Sequence, residues 1–210
     1  MSKRSIWVIA VLLLAGLMAG GAAAPAGAQG SLGISAGTYQ PDDDELDSTE
    51  VFGIRGGYRF NPNFGIEANL SRVDLADSIP TDNESELPDL NVDFKVDLYN
   101  LDLSLQWYPR GGHFLVFAGP GVAQIDARVD FRIFGTTISD SDTSQIFTAH
   151  AGLAYDWQIN DRFFIRPEAR VRRYFDDDPR ASEDQGTFIA VSYDATDYEA
   201  GIVFGWRIGS

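Results

Sequence analysis

Tyr198-Glu199-Ala200-Gly201-Ile202-Val203-Phe204-Gly205-Trp206-Arg207-Ile208 alternates from end to end. The even positions are Tyr, Ala, Ile, Phe, Trp and Ile. The odd positions are Glu, Gly, Val, Gly and Arg. A period of two is the signature of a β-strand with two unlike faces. One face is apolar and aromatic, the other small or charged. A soluble sheet would hide the apolar face in a core. A membrane barrel would turn it to lipid and keep the polar face in its lumen.

The same alternation recurs upstream. Phe52, Ile54, Tyr58 and Phe60 oppose Gly53, Arg55, Gly57 and Arg59. Phe64, Ile66, Ala68 and Leu70 oppose Gly65, Glu67, Asn69 and Ser71. Tyr99, Leu101, Leu103, Leu105 and Trp107 oppose Asn100, Asp102, Ser104, Gln106 and Tyr108. Phe147 to Trp157 and Phe163 to Val171 alternate likewise. Two stretches are less clean. Val92, Phe94, Val96 and Leu98 are apolar at even positions, after which the apolar residues move to odd ones. A bulge near Leu98-Tyr99 or a strand projecting beyond the membrane accounts for that. Phe114 to Val122 is apolar on both faces, so facing within Leu115–Ala123 is unassigned.

Between these segments, short connections rich in turn residues lie at Asn61-Pro62-Asn63, Pro109-Arg110-Gly111-Gly112 and Asn160-Asp161. Longer polar connections are expected near Pro41–Glu50, Asp74–Asn91, Gly135–Ser144 and Asp176–Gly186. Long and short alternate along the chain. That rhythm predicts an all-β, eight-stranded antiparallel up-and-down transmembrane β-barrel with its long loops on one side.

The N-terminus reads as a secretory leader over residues 1–28. Lys3 and Arg4 begin it, Ile6 to Met18 is apolar, and Ala26-Gly27-Ala28 is a small-residue cleavage site. Residues 30–208 form the barrel domain. The leader carries two basic side chains and no acidic ones, so the remainder is more acidic still than the -15 of the whole chain. Such a surface argues against nucleic acid, which needs a basic face. No cysteine is present, which excludes disulfides and thiolate metal sites. No long apolar run follows the leader, so a lipid-spanning fold must be a closed barrel, in which every backbone group is paired.

The competing architecture is a secreted soluble barrel of the lipocalin kind, with apolar faces inward. Three features favour the membrane. Phe60, Phe64, Trp107, Tyr108, Trp157, Phe163 and Trp206 gather beside the short turns, as an interfacial aromatic girdle does. The opposite faces carry Arg55, Arg59, Glu67, Arg166, Glu168, Arg170, Arg172 and Glu199, which suit a paired charge network in a narrow lumen. The long connections are strongly acidic.

On these residues the chain resembles, over Gly30 to Ile208, the small eight-stranded outer-membrane β-barrel family that includes the barrel of outer membrane protein A. Its end resembles the signal read by the barrel-assembly machinery: a polar residue, a glycine and two aromatics, here Glu199, Gly201, Phe204 and Trp206. It departs from that signal in its acidic first residue and in the trailing Arg207-Ile208-Gly209-Ser210. The stretch Phe114 to Val122 is similar to the aromatic-then-glycine strand common in the family. The resemblance implies residence in the cell outer membrane, with outer-membrane lipid and the assembly machinery as partners.

Catalysis is not expected. A lipid-modifying enzyme needs Ser, His and a carboxylate together. His113 adjoins a short turn, and His150 has lumen parity and no serine two residues away. Asp42-Asp43-Asp44-Glu45 and Asp176-Asp177-Asp178 lack the spacing of a Ca²⁺ loop, so neither metal nor cofactor is expected. Eight strands enclose an interior just wide enough to be filled by side chains, and Arg and Glu fill it further. The expected role is structural, or a surface interaction through acidic loops. The alternative is a narrow channel or transporter of small apolar solutes. The chain ends with its eighth strand, so no appended cell-wall-binding domain is expected.

Overall fold

The computed structural model describes residues 29–42, 48–75, 90–133, 136–175 and 195–209. Eight strands form one antiparallel sheet: β1 (Gln29–Gln40), β2 (Thr49–Asn61), β3 (Phe64–Asp74), β4 (Leu90–Trp107), β5 (Phe114–Ile133), β6 (Thr136–Tyr155), β7 (Phe163–Phe175) and β8 (Thr196–Ile208). Each pairs with the next, and β1 pairs with β8 from Gly30↔Ile208 to Gln40↔Tyr198, which closes the barrel. Trp157–Gln158 continues β6 after a break at Asp156. The register against β7 is the same on both sides of the break, from Ala154↔Glu168 to Trp157↔Ile165. The Asp156 amide leaves the ladder and donates to the His113 carbonyl at 2.8 Å.

Two short turns share one device. The Asn61 Oδ1 accepts from the amides of Asn63 and Phe64 at 2.8 and 2.9 Å. The Asn160 Oδ1 accepts from those of Arg162 and Phe163, both at 2.9 Å. An asparagine side chain can imitate a backbone turn in this way. The third turn is a single 3₁₀ turn at Pro109–Gly111. There Arg110 and Gly111 take φ of 57° and 66°, the left-handed region in which glycine is at ease.

Lipid-facing positions are the apolar ones. Ile34 is 63% exposed and Trp157 68%, while Arg172 and Asp102 are buried. This inversion of the soluble pattern is what a membrane barrel requires. Among the described residues no helix is long and apolar enough to span a bilayer.

The structure settles both irregular stretches. The β4–β5 register runs without a shift from Leu90↔Ile133 to Trp107↔Val116, so there is no bulge at Leu98-Tyr99. Even positions of β4 face inward from Val96 to Gln106. What changes is the filling of the interior. Leu98 packs with Tyr39, Val51, Val73, Ala123, Ile125, Ile146 and Tyr174 in an apolar plug at the long-loop end. Above it the Tyr39 hydroxyl donates to the Asp197 carboxylate and lies 3.1 Å from the Tyr174 hydroxyl, while the Asp42 amide donates to Asp197 Oδ1 at 3.1 Å. Within β5, Leu115 and Phe117 face inward with Gly119 and Gly121, whereas Phe114 and Ala118 face lipid.

One expected loop is corrected. Residues 136–144 are strand, paired with β5 up to Ile133↔Thr136. These polar residues prolong the β5–β6 hairpin instead of forming a loop. Of the other expected loops, residues 43–47, 76–89 and 176–194 lie outside the described residues, as does the leader.

Candidate functional site

The site is the barrel interior. Strand β7 sends Arg166, Glu168, Arg170 and Arg172 inward at successive alternate positions, because period two puts them all on one face. Neighbouring strands supply the carboxylates. Arg55 on β2 reaches Glu168 with both terminal nitrogens at 2.5 Å and Glu67 on β3 at 3.4 Å. Arg166 joins Glu67 at 2.6 Å to Asp156 at 2.5 Å. Arg170 and Arg172 both hold Oδ2 of Asp102 on β4, at 2.6 and 2.8 Å. Arg172 also meets Glu199 on β8 at 3.1 Å, and Arg170 stands 3.5 Å from Glu168, joining the two halves. Arg207 lies 3.9 Å from Asp156 at the inner end. All but Arg207 are nearly or fully buried. Buried charges at this depth are tolerable only when paired and hydrogen-bonded.

Seven of the eight charges singled out in the sequence therefore meet in one network. Arg59 does not join it through a carboxylate. Its guanidinium lies at the short-turn end, 3.8 Å from the Tyr108 ring centroid, and donates to the carbonyls of Pro62 and Gly111. The hub that sequence reasoning missed is Asp102, which also accepts from Asn69 Nδ2 at 3.1 Å. Its parity placed it in the lumen. Nothing in a one-dimensional pattern shows that two arginines of β7 lie opposite it.

Of the girdle residues, Phe60, Phe64, Trp107, Trp157, Phe163 and Trp206 are exposed on the outer wall, and Phe163 stacks on Trp206 at 6.0 Å. Tyr108 is a correction. It follows the outward Trp107 and so turns inward, where it is buried, bonding to Gln106 at 3.1 Å. Beside it Leu115, Phe117 and Ala154 form an apolar layer, with Phe164 also buried toward this end. The Phe117 and Phe164 rings each lie across a glycine of the adjacent strand, Gly152 and Gly205, their register partners. A Cβ on either glycine would run into the ring. Of the residues resembling the assembly signal, Glu199 and Gly201 face the lumen, and Phe204 and Trp206 face lipid.

Ser104 Oγ and His150 Nε2 are 2.7 Å apart, and His150 Nδ1 is 3.6 Å from Asp102 Oδ1. The order Ser–His–Asp is that of a hydrolase. Its setting differs. All three side chains are buried inside the barrel, and Asp102 is clamped by two arginines through its other oxygen. Among the described residues, no group of three or more His, Cys, Asp or Glu is placed to hold a metal ion. An interior cavity beside Ser35, Arg55, Ser71, Glu168 and Glu199 measures about 10 Å³, room for about one water.

Several solved structures are similar to this chain. A major outer membrane protein from Thermus thermophilus is 11% identical, with 86% of this chain and 99% of that one covered and a TM-score of 0.57. Neisserial surface protein A is 15% identical, with 87% and 98% covered and a TM-score of 0.49. Ail, the attachment invasion locus protein of Yersinia pestis, is 16% identical, with 86% and 97% covered and a TM-score of 0.47. At 11% identity the likeness to the Thermus protein is one of fold alone. No curated protein matches the sequence. The model of the outer membrane protein beta-barrel domain matches residues 8–207, and the chain belongs to that family.

Proposed function

We propose that this protein is a closed structural barrel of the outer membrane, presenting acidic loops at the cell surface and conducting little or nothing through its interior. The observation that carries this reading is the continuous pairing from Arg207 through Asp156, Arg166, Glu67, Arg55, Glu168 and Arg170 to Asp102 and Arg172. Apolar layers stand at both ends of it. A lumen of eight strands filled in this way has no aqueous path for solutes. Residues 1–28 act as a leader removed near Ala28. Glu199, Gly201, Phe204 and Trp206 present the closing strand to the barrel-assembly machinery. The termini and short turns face the periplasm and the acidic loops face outward, where a ligand would be met. The protein is not an enzyme, since Ser104 and His150 are sealed from any lipid substrate.

Planar-bilayer recording on refolded protein, with an uptake assay for small apolar solutes in the same preparation, tests this. Silence in both is expected. Large, stable conductance steps, or saturable uptake, would replace it with the channel or carrier reading.

A further inference from the structure

Where the barrel closes, two glycines face each other. Gly37 on β1 is the register partner of Gly201 on β8, and both line the interior cavity of about 10 Å³. Neither position has room for a side chain. A Cβ on Gly37 would collide with the Ala200 carbonyl oxygen, and one on Gly201 would lie 2.8 Å from that of Ala36. The lumen side of the seam is therefore bare at this level.

Three other residues lining the cavity are nearly buried. Each keeps one polar atom with no hydrogen-bond partner among the described residues: Arg55 Nε, Ser71 Oγ and Glu199 Oε1. Arg55 commits its terminal nitrogens to Glu67 and Glu168, which leaves Nε over. Glu199 Oε1 stands 3.1 Å from Arg172 Nη2 but accepts no hydrogen bond. Buried polar atoms are costly unless something supplies the partner.

Charge and size decide what can supply it. Arg55 repels a cation, and Glu168 and Glu199, which line the same space, repel an anion. The Arg55 Nε–H needs an acceptor, Glu199 needs a donor, and the Ser71 hydroxyl serves as either. Only a neutral group that both gives and takes hydrogen bonds meets all three. The space matches about one water.

We infer that this cavity binds a single internal water molecule, which accepts from Arg55 Nε, donates to Glu199 Oε1 and bonds Ser71 Oγ. It ties the closing strand β8 to β2 and β3 across the bare seam. In the wall β1 lies between β8 and β2. The tie thus runs through the lumen and adds to the backbone ladder a link that the ladder cannot make. A bridging water of this kind is nearly as favourable as a direct hydrogen bond. One enclosed water makes no path through the barrel, so the tie and the closed interior stand or fall separately.

Refolded protein labelled with ¹⁵N at arginine, in detergent micelles, tests this. Through-bond spectra assign the Arg55 Hε signal. A rotating-frame cross-peak between that proton and water is expected, with the sign of close contact instead of proton exchange. Ser71→Val replaces the hydroxyl with carbon and fills the space, and should abolish the cross-peak. Heat-modifiable migration checks that the variant is folded. In the wild type, exchanging sodium for potassium or ammonium in the buffer should leave the Arg55 signal unmoved. No contact with water in the wild type, a cross-peak that survives Ser71→Val in a folded barrel, or a signal that moves with the cation would each overturn the assignment.

Discussion

Arg55 and Glu168, 113 residues apart in sequence, meet as a two-pronged pair inside the barrel, nitrogen to oxygen at 2.5 Å on both prongs. Neither side chain reaches bulk water, so each depends on its paired charges, Arg55 on Glu168 and Glu67, Glu168 on Arg55 and Arg170. Glu168→Gln should leave Arg55 with only the more distant Glu67 and cost about 3–5 kcal/mol, the usual effect of breaking a buried pair from one side. Arg55→Met with Glu168→Leu should recover most of that loss. Urea unfolding in lipid vesicles, read by heat-modifiable migration, measures both. A single variant as stable as the wild type would show that the pair is not coupled.

Gly205 and Phe164 form a steric pair rather than an electrostatic one. Gly205→Ala should cost about 1–3 kcal/mol by overpacking, since the ring occupies the only place a methyl can go. Adding Phe164→Leu should relieve it. The same urea titration checks this, and additive losses in the double variant would contradict the packing described.

Lipid exposure can be read by depth. Ile34→Lys, in the middle of β1 and 63% exposed, should destabilise by about 2–4 kcal/mol. Phe163→Lys, beside the short turn, should cost less on the same scale, about 0–1 kcal/mol before the lost Trp206 stacking is counted. Equal penalties at the two positions would mean that the apolar belt is not where the exposed aromatics put it.

His150→Ala and Ser104→Ala should leave the acylation pattern of outer-membrane lipid unchanged in cells expressing the protein, because both groups lie out of lipid's reach. Mass spectrometry of extracted lipid decides it. A change in acyl-chain number in the wild type that either substitution removes would make the barrel an enzyme.

Much of the architecture was legible in the alternation alone, because in a membrane barrel the two faces meet solvents of opposite kind. Arg55, Glu67 and Arg170 announce the lumen as plainly as Trp206 announces the lipid. The pattern goes silent where both sides of the wall are dry. Leu115 and Phe117 face an apolar layer within, while Phe114 and Ala118 face lipid, so no contrast in polarity remains to be read. Only the register, Leu115↔Ala154, distinguishes them. Leu98 misleads for a related reason: above the charged layer the interior turns apolar while the strand continues unbroken. Asp102 was hidden differently. Which lumen residues share a level depends on strand tilt and stagger, which no single strand records.

The pairing of β1 with β8 has a consequence for how the molecule comes into being. Gly30 and Ile208 are neighbours, yet one is among the first residues of the barrel to be made and the other among the last. Until the final strand arrives, two rows of amides and carbonyls have no partner, and a bilayer supplies none. Partial barrels therefore gain little from being partial. A chain stopped short of Thr196 would forfeit the whole wall rather than an eighth of it.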